Sequence, residues 1–95
     1  MKILSNDEIN SWLNSHENWN FKNGEISCVF TFKDFYQAMG FMVQVGIKAE
    51  KHNHHPKIEN IYNVVTISMN THDAGNKVTD RDTRLAEEIE NLNIY

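Results

Sequence analysis

A single cysteine and a single proline stand among 95 residues, and each scarcity narrows the possibilities. With Cys28 alone, no intrachain disulfide framework, CxxC redox pair or paired-cysteine zinc site can form, and such usage fits a reducing compartment. Basic runs are missing too. Nine Lys and Arg face 13 Asp and Glu, for a formal charge of -4, so no phosphate-neutralising patch predicts direct binding to nucleic acid or to an anionic membrane. No apolar run approaches membrane-spanning length, and Met1-Lys2-Ile3-Leu4-Ser5 turns polar too early for a signal-peptide core. Internal repeats, low-complexity tracts and Gly/Ser linkers are also absent. One domain over residues 1–95, in the cytoplasm, is expected. A chain this short lies near the lower limit for a self-sufficient core, so association into a homo-oligomer, a dimer or a tetramer, is expected as well.

What is present divides cleanly by period. Ser5 and Glu8 have the spacing of a capping box and Leu4 and Ile9 that of a hydrophobic staple, which predicts a helix over 6–16 with Ile9, Trp12 and Leu13 as its apolar stripe. Trp19 and Phe21 then alternate with polar residues, Asn23-Gly24 is a hairpin turn signal, and Ile26, Cys28, Phe30 and Phe32 alternate again. From Asp34 to about Lys51 the pattern is helical, with Phe35, Ala38, Met39, Phe41, Met42, Val43, Val45 and Ile47 spread around most of the circumference. A single sheet covers one side of such a helix, so its other face is expected against another subunit, around Phe41, Met42 and Val45. Gly40 and Gly46 fit a close approach of another backbone there. Pro56 stops the helix. Beyond it Ile61, Val65, Ile67 and Met69 share one extended face, with a break near Asn63, and Thr79 and Asp82 cap a last helix through Leu85, Ile89 and Leu92. The order α-β-β-α-β-β-α predicts an α+β fold, an antiparallel four-stranded sheet with helices on one face.

The chemistry is concentrated in histidines. His54 and His55 precede Pro56 at the end of the long helix, where the negative end of the dipole favours a protonated imidazole, and His72 follows the next extended segment beside Asp73. Histidine exchanges protons near neutral pH, so the trio points to general acid–base work. Glu50, one helical turn before His54, is placed to support it. A metal held by His52, His54, His55, His72 and Asp73 is the competing reading, but no HExxH pair or second cysteine accompanies them, and adjacent His54 and His55 diverge. His16 and His52 read as surface residues. Cys28 reads as a buried hydrophobe, and Asp80, Asp82, Glu87, Glu88 and Glu90 as a helix start and a solvated face.

The ordered set Glu50-x3-His54-His55-Pro56-x5-Tyr62-x9-His72-x9-Asp82 resembles that of the pterin-4a-carbinolamine dehydratases. The likeness extends through Phe30-Thr31-Phe32-Lys33-Asp34-Phe35, Asn60-Ile61-Tyr62-Asn63 and Thr71-His72-Asp73-Ala74-Gly75, over about residues 19–92. The resemblance implies dehydration of a 4a-hydroxytetrahydropterin, a small-molecule pterin, to the quinonoid dihydropterin in tetrahydrobiopterin recycling, with no metal or organic cofactor. By position, His54 and His72 match the residues that move protons, and His55 one that holds and polarises the pterin. Pro56, Thr71, Asp73 and Ala74 match substrate-contacting positions. The family also includes dimerisation cofactors of a transcription factor. Two departures bear on pocket shape. Lys57-Ile58 stand where an acidic and an aromatic residue are common, and Gly75-Asn76-Lys77-Val78 carries an apparent insertion and lacks a second glycine.

Overall fold

The computed structural model describes residues 1–92. Its elements are α1 (Asn6–Asn14), β1 (Trp19–Lys22), β2 (Glu25–Thr31), α2 (Phe35–His52), β3 (Lys57–Ile61), β4 (Val64–Met69) and α3 (Asp80–Glu90), with a short 3-10 turn, His72–Ala74, between β4 and α3. The strands form one antiparallel sheet in the order β1-β2-β4-β3. This is the α+β arrangement that the sequence predicts.

Local chemistry explains the element boundaries. Ser5 and Glu8 make the expected capping box on α1, and Thr79 and Asp82 make a second on α3. Asn23 and Gly24 both take positive φ, at 55° and 76°, so the hairpin closes in the tight turn whose twist suits its strands. Between β3 and β4, Asn60 Nδ2 donates to the carbonyls of Tyr62 and Val64, which holds Tyr62 in a left-handed conformation. Residues 2–4 run back along the entry to α3. The amide of Leu4 donates to Val78, that of Asp80 to Lys2, and that of Lys2 to Asp80 Oδ1. This tether fixes the start of α3 and, with it, the position of Asp82.

One core unites the sheet with the helices. Ile26 and Cys28 of β2 and Val65, Ile67 and Met69 of β4 pack with Ala38, Phe41, Val45 and Ala49 of α2 and Leu85 and Ile89 of α3. Here the expectation for α2 is corrected. Phe41 is 2% exposed and Val45 0%, so both belong to the subunit's own core and cannot form a partner surface. The exposed apolar face is a different stripe, Tyr36, Met39, Val43 and Ile47, with Phe35 beside it. A Cβ built on Gly40 or Gly46 meets nothing nearby, so neither glycine is required by packing within the subunit.

Candidate active site

α2 ends at His52 because Asn53 adopts a left-handed conformation, φ 49°, and its amide caps the carbonyls of Ala49 and Glu50. The amide of His54 also returns to Ala49. This reversal turns His54 inward and leaves His55 outside, so the two adjacent imidazoles sit in different surroundings. On the facing side, β4 stops at Met69 and the chain turns through Thr71 into the His72–Ala74 turn. A cleft of about 240 Å³ lies between them, lined by Asn53, His54, His55, Asn70, Thr71, His72, Asp73 and Arg81. His54, His55, Thr71, His72 and Asp73 are therefore brought together. Pro56, at the entry to β3, and Ala74, whose amide bonds to the carbonyl of Thr71, are not among the lining residues.

His54 is buried, and its Nε2 donates to Asp82 Oδ1 at 2.5 Å. Asp82 has no solvent exposure. Its second oxygen, Oδ2, accepts from the Thr79 amide at 2.8 Å and from Thr71 Oγ1 at 2.9 Å. Thr71 Oγ1 in turn accepts from Thr79 Oγ1 at 2.7 Å, and Thr79 Oγ1 accepts from the Arg81 amide at 3.2 Å. Each hydroxyl donates once, so the chain of bonds runs in one direction and ends on the carboxylate. Asp82 thus serves as the N3 residue of a capping box with one oxygen and as the anchor of His54 with the other. Buried carboxylates persist when their lone pairs are satisfied in this way. With Nε2–H committed to Asp82, Nδ1 is the His54 nitrogen left to exchange a proton with a ligand.

His72 is exposed at the rim, and its Nδ1 lies 3.2 Å from Asn76 Oδ1. With that oxygen accepting, Nδ1 carries the hydrogen and Nε2 is left free. The side chain so placed is Asn76, not Asp73, the residue next to His72 in sequence. Asn76 sits at φ 62°, a left-handed position that Asn tolerates better than most residues, within the segment that departs from the family pattern. Glu50 is also repositioned. Its Oε1 accepts from His55 Nε2 at 2.8 Å, and both side chains are largely in solvent, so it steadies His55 and not His54. His16 and His52 are half-buried and partnered, which corrects their reading as surface residues. His16 stacks on Trp12 at 4.1 Å, and His52 pairs with Glu88. Among the described residues, no three His, Cys, Asp or Glu side chains are grouped so as to hold a metal ion. No helix among them is long and apolar enough to cross a membrane.

Asp82, Asn76 and Arg81 are site residues that local reasoning did not single out. A capping signal fully accounts for Asp82 in sequence, and its burial against His54 depends on a contact 28 positions away. Asn76 reads only as part of a loop. Arg81, whose guanidinium makes no hydrogen bond or ion pair among the described residues, reads only as part of a helix start.

A family model described as pterin 4 alpha carbinolamine dehydratase matches residues 2–92. A provisionally named pterin-4-alpha-carbinolamine dehydratase from Prochlorococcus marinus (strain AS9601) is 40% identical over 90 residues, covering 95% of this chain and 93% of that protein. One from Nitrobacter hamburgensis, likewise provisionally named, is 45% identical over 86 residues, covering 88% of this chain and 84% of the relative. Among solved structures, one described as a transcriptional coactivator/pterin dehydratase from Brucella melitensis superposes with a TM-score of 0.87 at 37% identity, covering 93% of this chain and 95% of that one.

Proposed function

Because the chain belongs to the pterin 4 alpha carbinolamine dehydratase family, we propose that it is a hydro-lyase acting as one domain, which converts a 4a-hydroxytetrahydropterin to the quinonoid dihydropterin and water. The observation that carries the reading is the buried His54–Asp82 pair opening on the same cleft as His72. In the reaction the C4a–O bond breaks and the hydroxyl leaves as water once it receives a proton. The pterin loses a proton as the new double bond forms, so the two transfers balance. His54 takes the pterin proton through Nδ1, and Asp82 stabilises the imidazolium that results, much as a buried carboxylate does for other catalytic histidines. His72, at the rim, acts as the imidazolium: its Nε2 proton passes to the departing hydroxyl and is replaced from solvent, while His54 returns the pterin proton to solvent. His55, held by Glu50, contacts and polarises the pterin, and Thr71 and Asp73 contribute the facing wall.

We place the activity in tetrahydrobiopterin recycling in the cytoplasm, a setting consistent with the free, buried Cys28. His54→Ala and His72→Ala should each lower turnover of chemically generated 4a-hydroxytetrahydropterin by at least about tenfold, with the fold retained, since general acid–base assistance is worth roughly 10²- to 10⁴-fold. Full activity in either variant would remove that residue from the mechanism. A second reading is favoured by the exposed Tyr36, Met39, Val43 and Ile47 stripe, which gives the chain a surface for self-association or for a protein partner. The Brucella protein's description as a coactivator is in keeping with it. Pull-down of a transcription factor that is lost in Val43→Asp but kept in His72→Ala would support that second role.

A further inference from the structure

The chain has two arginines, Arg81 and Arg84, and both line one small cleft next to the catalytic one. This cleft measures about 170 Å³ and is completed by His52 and Asn53. Arg81 and Asn53 line the catalytic cleft as well, so the two spaces share a wall. Charge is distributed unevenly around it. Arg84 is engaged by Asp80 at 3.0 Å, and Glu88 is surrounded by Lys48, Lys51 and His52. Arg81 has no acidic partner among the described residues. In a protein of net charge -4, this corner carries a local excess of cations beside the reacting centre.

We propose that this arginine cleft binds an anionic group, a phosphate or a carboxylate, on the side chain of the pterin whose ring occupies the catalytic cleft. The proposal rests on the dehydratase reading and adds to it the class of substrate. Guanidinium groups present a planar fork of N–H donors that matches both oxyanions, and an uncommitted one next to a ligand cleft is suited to recognition. The C-terminal end of α2 opposes an anion here, with roughly half a negative charge. Its carbonyls at Ala49 and Glu50 are already capped by the amides of Asn53 and His54, and the uncompensated charge of Arg81 outweighs what remains.

The test is calorimetric titration of the intact protein with three unreactive oxidised pterins that differ only at C6: hydroxymethyl, its phosphate monoester, and carboxylate. At least one anionic pterin should bind about tenfold or more tightly than the neutral one, and the preference should shrink in high salt because screening weakens exposed charges. Which anion gains identifies the source of the charge. Arg81→Gln and Arg84→Gln alter exposed side chains, so both should fold, and each should reduce the anionic preference towards unity. Equal affinity for all three pterins in the wild type, or a preference that survives in both variants, overturns the arginine cleft alone. No binding of any pterin to the folded protein overturns the dehydratase reading together with it.

Discussion

Two side chains outside the histidine trio, Asp82 and Asn76, determine which nitrogen His54 and His72 offer. Asp82→Asn keeps size and hydrogen-bonding capacity but sets an amide N–H against His54 Nε2, which forces the other tautomer and occupies Nδ1 with hydrogen. Turnover should fall by roughly 10²-fold or more, and the loss of a charged acceptor should cost about 1–3 kcal/mol of stability. Steady-state rates and a denaturant melt would measure both, and an active, equally stable variant would contradict the role given to Asp82. Asn76→Gly is a cleaner deletion because glycine adopts φ 62° without strain. The loop keeps its backbone bonds, from the Asn76 amide to Thr71 and from Asn70 Nδ2 to the Asn76 carbonyl. We expect unchanged pterin binding, a several-fold loss in kcat and an altered pH–rate profile, with Asn76→Asp retaining most of the rate because it restores an oxygen acceptor. An unaltered profile in Asn76→Gly would show that the tautomer of His72 is set elsewhere. The specific spacing that sets His54, His55 and His72 at this site also includes Asp82, but the part Asp82 plays, like that of Asn76, comes from contacts that form only in the folded chain.

At the scale of elements, the legible features are those decided within a few residues. The capping boxes at Ser5–Glu8 and Thr79–Asp82 and the Asn23-Gly24 turn depend on neighbours three positions away or fewer, and all three appear in the structure. The orientation of α2 was not legible in this way. Its apolar residues surround the helix, and which stripe faces inward is decided by the sheet, through Phe41 packing against Phe30 and Phe32 at 4.7 and 4.8 Å between ring centroids. Strand β2 illustrates a consequence of that packing. Burial, reinforced by the charge of Glu90, pushes the Cys28 thiol up to about 11, so about one thiol in a thousand is ionised at pH 8. Thiol reagents attack the thiolate. Alkylation of Cys28 at pH 8 should therefore be slow in the native protein and fast in denaturant, and rapid native alkylation would mean that β2 opens far more readily than its register with β4 implies.

For the whole molecule, the question is what covers the stripe of Tyr36, Met39, Val43 and Ile47, the last two 58% and 56% exposed. Apolar side chains aligned from Tyr36 to Ile47 along α2 would gain by removal from water, and a second copy of the same helix offers a matching surface. We expect the wild type to be a dimer or tetramer at micromolar concentration by light scattering. Val43→Asp should dissociate it, because the carboxylate would have to leave water without a compensating cation, a cost of several kcal/mol. Phe41→Asp should behave differently. Phe41 is already buried in the subunit, so a charge there should unfold the chain before assembly becomes an issue, as a melt would reveal. Finding the reverse, a folded Phe41→Asp monomer and an intact Val43→Asp assembly, would move the interface away from this stripe. His54, Asp82, His72 and Asn76 all belong to one chain, so a folded, dissociated Val43→Asp variant should retain measurable dehydratase activity. Its complete inactivity would mean that the cleft is finished by residues from a neighbouring copy, and that assembly and catalysis in this protein are one property.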